Sequence, residues 1–404
     1  MASQKLALFG GPPIRRTGYP DWPRLGPGDL DRMREVLESG SWGGENPTVR
    51  SFAEIFAQFH DARFGIAVSS GSMALELALH AAGIGKGDEV IVPAHSFIAT
   101  ATAVSRVGAE PVFVDVDAES FNIDCAQAAE AVSEKTRAII PVHFGGVVAE
   151  MDRLTDIASS TGVRLLEDAA HAHGAEWYGT RAGGLGSAGI FSFQNSKAMT
   201  AGEGGMVVTS DEGLAESARS ITNAGRRSTG GWFEHFELGT NLRMTAPQAA
   251  LLMAQLERLP REIQLRATNF KRFAKEISEV NGIALQKAPA GAATQTRYIV
   301  PGRIVEDLFG ADRDRFVEAM QSEGVPVRPF YPHPLYANPV FREWPHRSLQ
   351  CPVAEQLTRD SFWIPMRVFM GSEDDAADAG RAVTKVYRAL KPGPRRSTNG
   401  FSEA

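Results

Sequence analysis

Short apolar runs alternate with helix-like segments between residues 63 and 225. The runs are FGIAVSS (64–70), DEVIVPA (88–94), PVFVDV (111–116), RAIIPVH (137–143), VRLLEDA (163–169), GIFSFQ (189–194) and GMVVTS (205–210). Several of the segments between them suit helices, among them 73–83 and 97–108. Runs that are apolar throughout, separated by helices of crossover length, are typical of a mostly parallel sheet buried on both faces. The pattern predicts an α/β fold with ligands at the carboxyl ends of the strands.

The two ends of the chain follow other patterns. The N-terminal part is rich in glycine and proline around one predicted helix at about 28–38, and a strong helical pattern covers 245–259. Beyond that helix, helix and strand patterns recur in a different rhythm, which indicates a second, smaller unit. The predicted parts are N-terminal loops and helix (1–50), a large α/β domain (51–259), a small C-terminal α+β domain (260–392) and a disordered tail (393–404).

Composition excludes several classes of protein. Hydrophobic residues make up 43% and charged residues 22% of the 404 residues, which is the mix of a globular domain rather than a disordered or fibrous chain. A net charge of −6 argues against a general nucleic-acid binder, and no apolar run is long enough for a membrane helix. Cys125 and Cys351 are too few for a disulfide framework, and the apolar stretch LALF at 6–9 is too short for a signal peptide. We therefore expect a cytoplasmic protein.

The first apolar run ends in the small-residue turn SSGS at 69–72, directly before a predicted helix. Small residues allow close approach of a ligand, and the free N–H groups of a helix N-terminus favour an anion such as phosphate. An ordinary tight turn with a serine N-cap explains the turn equally well. The glycine patterns of dinucleotide-binding and P-loop proteins are absent from the sequence.

Asp168 follows the five apolar-rich residues VRLLE of its run, so it is expected at the carboxyl end of a strand. There it could hold a cationic group, although an isolated Asp is more often a turn former. His171 and His173 follow closely, while His95 and His143 are isolated. Zinc needs more ligands at a suitable spacing, so we predict no metal site.

Lys197 comes just past another predicted strand, in the small and polar stretch NSKAMTAGEGG. A lysine is usually a surface residue. One held beside a buried strand can be partly desolvated, which makes its amine nucleophilic and suits Schiff-base chemistry. Gly202, Gly204 and Gly205 allow the chain to turn tightly beside it.

The three strand ends together match the needs of pyridoxal 5′-phosphate. Its phosphate suits the helix N-terminus after Ser69, its pyridine nitrogen suits Asp168, and its aldehyde suits Lys197. A flat aromatic side chain over the cofactor ring is also expected. Phe97, directly after DEVIVPAHS, is the candidate.

These features resemble the DegT/DnrJ/EryC1/StrS family of fold-type-I, pyridoxal-phosphate-dependent aminotransferases, which act on keto-sugars and keto-cyclitols. The resemblance spans about residues 5–392. Six motifs occur in the family's order: SGSMALELAL, DEVIVPAHSFIATATAV, PVFVDVD, EDAAHAHGA, FSFQNSKAMTAGEGG and GTNLRMT. The lysine present at 197 disfavours the related sugar 3-dehydrases, which have histidine there.

The resemblance implies a role for each matching residue. Lys197 matches the lysine that binds the cofactor covalently and then moves a proton, and Asp168 matches the acid on the pyridine nitrogen. His171 matches a residue near the cofactor's 3-hydroxyl or stacked nearby, and Phe97 matches the stacking aromatic. The matching phosphate-binding residues are Gly71, Ser72 (Thr in many members) and Ser192, and Asn241, which in the family reaches the neighbouring subunit's cofactor. The resemblance therefore implies a homodimer.

Two subgroups of the family look similar to this chain. The L-glutamine:scyllo-inosose and 2-deoxy-scyllo-inosose aminotransferases of aminoglycoside antibiotic biosynthesis share the likeness into VRPFYPHPLYANPVF (327–341). The 3-amino-5-hydroxybenzoate synthases share the motifs around the lysine. We favour the first group, with an aminocyclitol as product, and Tyr331, His333 and Tyr336 are candidates to contact the substrate ring. A loop that simply packs its aromatic side chains explains them as well.

Other functions remain as alternatives to a cyclitol aminotransferase. A nucleotide keto-sugar aminotransferase would keep the same chemistry with another acceptor. A non-catalytic cofactor-binding regulator is disfavoured by the complete set of lysine, acid and phosphate-binding residues. A nicotinamide-dependent oxidoreductase is disfavoured by the missing glycine fingerprint.

Overall fold

The computed structural model describes residues 5–44 and 46–391, so the predicted tail at 393–404 lies outside the described residues. The strands in these ranges are β1 (Phe64–Val68), β2 (Glu89–Pro93), β3 (Glu110–Val114), β4 (Thr136–Ile139), β5 (Arg164–Asp168), β6 (Glu176–Trp177), β7 (Thr180–Arg181), β8 (Ala188–Ser192), β9 (Gly205–Thr209), β10 (Ile283–Leu285), β11 (Ile299–Ile304), β12 (Arg328–Pro329), β13 (Arg347–Ser348) and β14 (Ser361–Pro365). Each of the seven apolar runs forms a strand, as predicted.

The helices follow the expected rhythm. They are α1 (Asp29–Ser39), α2 (Pro47–Phe59), α3 (Gly71–Ala81), α4 (Ala99–Arg106), α5 (Cys125–Glu130), α6 (Met151–Thr161), α7 (Glu212–Thr222), α8 (Ala246–Glu276), α9 (Glu306–Phe309), α10 (Arg313–Ser322), α11 (Pro352–Asp360) and α12 (Glu373–Leu390). Among the described residues, none of these helices is both long and apolar enough to span a bilayer.

The main sheet has the strand order β1-β9-β8-β5-β4-β2-β3-β13 within the described chain. The pairs from β8 through β13 are parallel, and β9 runs antiparallel to both β1 and β8. Two successive reversals leave β1 pointing the same way as β8. The carboxyl ends of β1, β2, β5 and β8 therefore share one edge of the sheet. This confirms the mostly parallel α/β fold and brings the predicted functional segments to that edge.

A second sheet lies in the C-terminal part of the chain. It is antiparallel, with the order β10-β11-β14-β12, and it has its own buried cluster. Val300, Phe316 and Phe362 belong to that cluster together with Phe273 of α8 and Val383 of α12. The smaller α+β unit predicted from the sequence is present.

Two local predictions were wrong. The helix expected at 245–259 runs on as α8 to Glu276, across Pro260 and across the predicted domain boundary. Its buried stripe continues through Leu259, Ile263 and Phe273, and this tertiary packing outweighs the hydrogen bond that proline cannot make. The predicted pattern also left out β13, which is only two residues long and adds to β3 at the sheet edge.

Candidate active site

Lys197 lies in the turn that follows β8. Its backbone N–H donates to the Gln194 carbonyl at 2.9 Å, and its carbonyl accepts from the Trp22 indole at 3.0 Å, so the backbone is held on both sides. The half-buried side chain carries its Nζ to 4.7 Å from the ring centroid of Tyr298. A cation at this distance from an aromatic face is attracted to it. The lysine is thus fixed in direction rather than free in solvent.

Tyr298 lies between Lys197 and His171. Its hydroxyl lies 2.7 Å from the Ser196 Oγ, and its ring packs on that of His171 with centroids 4.5 Å apart. Sequence reasoning missed Tyr298 because it lies about a hundred positions from Lys197. Its one local signal is an aromatic residue directly before the apolar run that forms β11.

Asp168 is the last residue of β5 and is buried. The Thr100 hydroxyl donates to Oδ2 at 2.9 Å, and the Ala170 N–H donates to Oδ1 at 3.2 Å. Burial raises the pKa of Asp168, and these two hydrogen bonds and the charge of Lys197 oppose that rise. A bound cationic group would stabilise the carboxylate further. Thr100, on α4, was not predicted from the sequence.

His171 is a neutral hydrogen-bond donor in this arrangement. Burial lowers its pKa well below the usual value, and the nearby Lys197 charge lowers it further. The Gly145 N–H donates to His171 Nδ1 at 3.3 Å, so the ring proton must sit on Nε2. The Nε2–H is then available to a ligand.

The phosphate-binding prediction concerns the turn between β1 and α3. The Ser70 Oγ caps α3 by accepting from the Met73 N–H at 3.2 Å. A Cβ on Gly71 would lie 2.6 Å from the Ser192 Cβ, so the start of α3 touches the end of β8 and only glycine fits. This contact places Gly71, Ser72 and Ser192 around one helix N-terminus, whose first N–H groups have no partner within the helix.

Comparison with known proteins shows the family of this chain. Residues 23–381 match the model of the DegT/DnrJ/EryC1/StrS aminotransferase family. The chain belongs to this family. A protein of Streptoalloteichus tenebrarius, provisionally named L-glutamine:3-amino-2,3-dideoxy-scyllo-inosose aminotransferase, is 38% identical over 96% of this chain and 98% of that one. L-glutamine:2-deoxy-scyllo-inosose aminotransferase of Micromonospora echinospora is 35% identical over 95% and 97%.

A solved structure of 3-amino-5-hydroxybenzoic acid synthase is also similar. It has a TM-score of 0.87 and 34% identity, and the match covers 93% of this chain and all of that one. This chain and that synthase therefore share the overall fold. The chain is an aminotransferase by family, and the fold-type-I prediction is confirmed.

Phe97 and Asn241 are the two remaining residues predicted to contact the cofactor. Phe97 lies between the end of β2 and α4, with 56% of its surface exposed, so its ring is free to stack on a ligand. Asn241 is exposed, and its Oδ1 accepts from the Arg243 N–H at 3.2 Å. The carbonyl of the adjacent Leu242 accepts from the Ser69 N–H at 2.8 Å, which places this segment beside the phosphate-binding turn.

Of the three predicted substrate-contacting residues, the structure brings Tyr331 to the site. Tyr331 is half-buried, and desolvation, with the neighbouring Tyr298 and Asp168, raises the pKa of its phenol. The Tyr336 hydroxyl instead donates to Glu355 at 2.9 Å, and His333 is exposed. Among the described residues, no hydrogen bond or ring contact joins either of them to Lys197 or Asp168.

The described residues contain no group of three or more histidine, cysteine, aspartate or glutamate side chains placed to hold a metal ion. His143 instead forms a buried pair with Glu167. The Ala149 N–H donates to its Nδ1 at 3.2 Å, so its Nε2–H donates to Glu167 at 2.9 Å. The Glu167 oxygens also accept from three backbone N–H groups, those of Gly183, Leu185 and Gly186.

The Glu167→Gln variant is expected to lower the free energy of unfolding by about 2–4 kcal/mol. Glutamine has one acceptor oxygen, and its NH₂ group would face backbone donors that need an acceptor. Urea denaturation measures the effect, with Glu54→Gln on the exposed face of α2 as the control. Equal stability of the two variants would contradict this role of Glu167.

Acid is expected to destabilise the protein below about pH 6.5 because four histidines are buried as neutral rings. Burial lowers the pKa of His60 and His95 to about 3, and lowers those of His171 and His173 well below the usual value. Unfolded histidine titrates near 6.5, so below that pH the unfolded chain binds protons that the folded chain does not. Each such histidine lowers the unfolding free energy by about 1.4 kcal/mol per pH unit, down to its folded pKa. Urea denaturation at pH 7.0, 6.0 and 5.0 tests this prediction. An unfolding free energy that is the same at all three pH values would contradict it.

Proposed function

We propose that this protein is a pyridoxal-phosphate-dependent aminotransferase that transfers the amino group of L-glutamine to a keto-cyclitol. The observation that carries the proposal is one edge of the sheet at which Lys197, the buried Asp168 and the Gly71–Ser192 cradle come together. These groups supply an amine, a carboxylate that forms no salt bridge within the described residues, and an anion-binding helix start. They fit the aldehyde, the pyridine nitrogen and the phosphate of the cofactor.

Each residue has a task in this proposal. Pyridoxal phosphate supplies a carbonyl that exchanges amines and a ring that accepts electrons from the substrate carbon. Asp168 holds a proton at the pyridine nitrogen, and the Thr100 hydroxyl keeps its carboxylate in place. Lys197 binds the cofactor and moves a proton at the reacting carbon, while His171 donates from Nε2 and Phe97 covers the ring.

Partner and location are also part of the proposal. We infer a homodimer because Asn241 is exposed beside the phosphate-binding turn and matches a family asparagine that serves the neighbouring subunit. Exposed Trp232, Phe233 and Leu238 precede it and offer apolar area to a second copy. The two cysteines are free and buried, which suits the reducing cytoplasm.

The names of the relatives support the choice of donor and acceptor. Several are named as L-glutamine-dependent aminotransferases of scyllo-inosose derivatives, and they match this chain over nearly its whole length. We infer an aminocyclitol as product and a step in aminoglycoside-type antibiotic biosynthesis as the context. Tyr331 is the residue of the C-terminal part that we propose to contact the acceptor.

A second candidate is the synthesis of 3-amino-5-hydroxybenzoate. The synthase of Amycolatopsis mediterranei is 38% identical over 88% of this chain and 94% of that one. Its product is an aromatic acid, which needs a cationic partner for its carboxylate. The rings around Tyr331 are instead neutral, which favours a cyclitol. A nucleotide keto-sugar acceptor is a third possibility within the same chemistry.

An absorbance titration tests the proposal. The cofactor-loaded protein is mixed with L-glutamine, freed of excess donor, and then given scyllo-inosose, 2-deoxy-scyllo-inosose or 3-amino-2,3-dideoxy-scyllo-inosose. We expect loss of the band of lysine-bound cofactor and its return with at least one ketone. Loss without return would move the acceptor to another class. Absence of the band with excess cofactor would overturn the assignment of Lys197.

A further inference from the structure

His95 is a buried imidazole without a hydrogen-bond partner at either ring nitrogen. It follows β2, is 1% exposed, and both Nδ1 and Nε2 lack a partner among the described residues. Burial keeps the ring neutral at physiological pH, so it presents one N–H donor and one acceptor lone pair. An unsatisfied buried polar group is costly, and its presence calls for an explanation.

Four aromatic rings pack around the imidazole of His95. The centroids of Phe121, Phe144, Phe330 and Tyr331 lie 6.3, 5.2, 5.6 and 5.4 Å from that of His95. Phenylalanine cannot accept or donate a conventional hydrogen bond. The one polar group in this wall is the Tyr331 hydroxyl.

Tyr331 connects this aromatic compartment to the reacting groups. Its ring packs against that of His95, and burial followed by the nearby Tyr298 and Asp168 raises the pKa of its phenol. Tyr298 in turn lies 4.7 Å from the Lys197 Nζ, measured to the ring centroid. On the other wall, the Phe144 ring is 5.7 Å from that of His171. A single ring, that of Phe144, thus separates His95 from His171, and the ring of Tyr331 packs against His95 directly.

Two of the four rings around His95, those of Phe330 and Tyr331, belong to an irregular segment. Phe330 and Tyr331 follow the two-residue strand β12, and the segment is tied to the main sheet where the Leu335 N–H donates to the Ala94 carbonyl at 2.8 Å. A ligand would reach His95 by displacing the Tyr331 side chain, which belongs to this loop rather than to a regular element.

We propose that His95, together with Tyr331, forms a subsite for one hydroxyl group of an uncharged, polyhydroxylated acceptor ring. This inference rests on the proposed function. A hydroxyl both donates and accepts, which matches the donor and lone pair of a neutral imidazole. The phenylalanine walls offer nothing to a phosphate or a carboxylate, so the subsite selects a neutral polyol over a nucleotide-linked sugar or an aromatic acid.

Transamination has two half-reactions, one with the donor L-glutamine and one with the keto-cyclitol acceptor. Measuring them separately distinguishes a role of His95 in acceptor binding from a purely structural role. His95→Phe is expected to lower kcat/KM for the keto-cyclitol about 10- to 100-fold and to leave the reaction with L-glutamine within about twofold. His95→Gln, which keeps a donor and an acceptor, should recover much of the loss. The subsite would be overturned if His95→Phe lowered kcat/KM equally in both half-reactions, or if it left kcat/KM for the keto-cyclitol unchanged.

His60→Gln is the matched control. His60 is also buried with a free Nε2, but it lies among Phe56, Phe59 and Phe191 and bonds the Ala182 carbonyl through Nδ1. Its replacement should affect stability without changing the choice of acceptor. An acceptor-specific loss in His60→Gln as large as that in His95→Phe would also overturn the proposal.

A binding measurement distinguishes failure of the subsite from failure of the proposed function. The imidazole proton resonances of His95 in the cofactor-loaded protein, assigned by their loss in His95→Gln, are followed as scyllo-inositol, a non-reacting polyol, is added. We expect them to shift. If the wild type aminates no cyclitol but the resonances shift, the proposed reaction fails and the polyol subsite stands. Resonances that do not move would overturn the subsite, whatever ketone the enzyme uses.

Discussion

Lys197→Ala is expected to abolish transamination, with turnover reduced on the order of 10⁴- to 10⁶-fold. The amine of Lys197 is the nucleophile in our proposal, and the turn after β8 delivers it to the face of Tyr298, 4.7 Å from the ring centroid. Among the described residues, no second lysine contacts Tyr298, His171 or Asp168. The variant should still bind the cofactor through its phosphate, but without the absorbance band of the lysine-bound form.

Two measurements check this expectation. Visible absorbance reports the covalent link, and release of the keto acid from L-glutamine reports turnover. The exposed Lys86, in the turn before β2, provides the control variant Lys86→Ala, which should behave like the wild type. Turnover retained by Lys197→Ala would show that another group carries the chemistry.

Asp168→Asn is expected to lower turnover about 10²- to 10⁴-fold while the covalent link to Lys197 still forms. An asparagine cannot hold a proton on the pyridine nitrogen, so the ring would lose most of its capacity to accept electrons. The side chain keeps its size. Its amide oxygen can accept from the Ala170 N–H, and its NH₂ group can donate to the Thr100 hydroxyl, which can turn its own proton to the Ser96 Oγ. The loss should therefore appear in catalysis rather than in folding.

Asp115→Asn is the matched control for this variant. Asp115 is also a buried carboxylate, but it accepts from the N–H groups of Val353 and Ala354 at the start of α11. Its replacement should lower the free energy of unfolding by about 1–2 kcal/mol and leave turnover per folded molecule nearly unchanged. If Asp168→Asn had wild-type turnover, or if both variants lost turnover equally, the role of Asp168 would be wrong.

The alternation of apolar runs and helices contained enough information to predict the sheet. Seven strands, the parallel character and the second C-terminal unit are all present, because burial of a strand on both faces requires a run of apolar residues that is visible locally. The same pattern misplaced the end of α8, since Pro260 is locally unfavourable while Ile263 and Phe273 are buried by partners distant in sequence.

The chemical identity of the proposed active-site residues was likewise present in the sequence. Lys197, Asp168 and the glycine-containing turn at 69–72 each follow an apolar run, and parallel strands bring such positions to one edge. Tertiary structure alone decided what surrounds them. Segments far apart in the chain meet where Tyr298 contacts Lys197 and where the Thr100 hydroxyl donates to Asp168. The burial of His95 without a partner for its ring nitrogens also results from such packing. The local pattern of apolar and polar residues indicates which face of a strand or helix is buried. Only tertiary packing determines which side chains from separate strands and loops meet at one site.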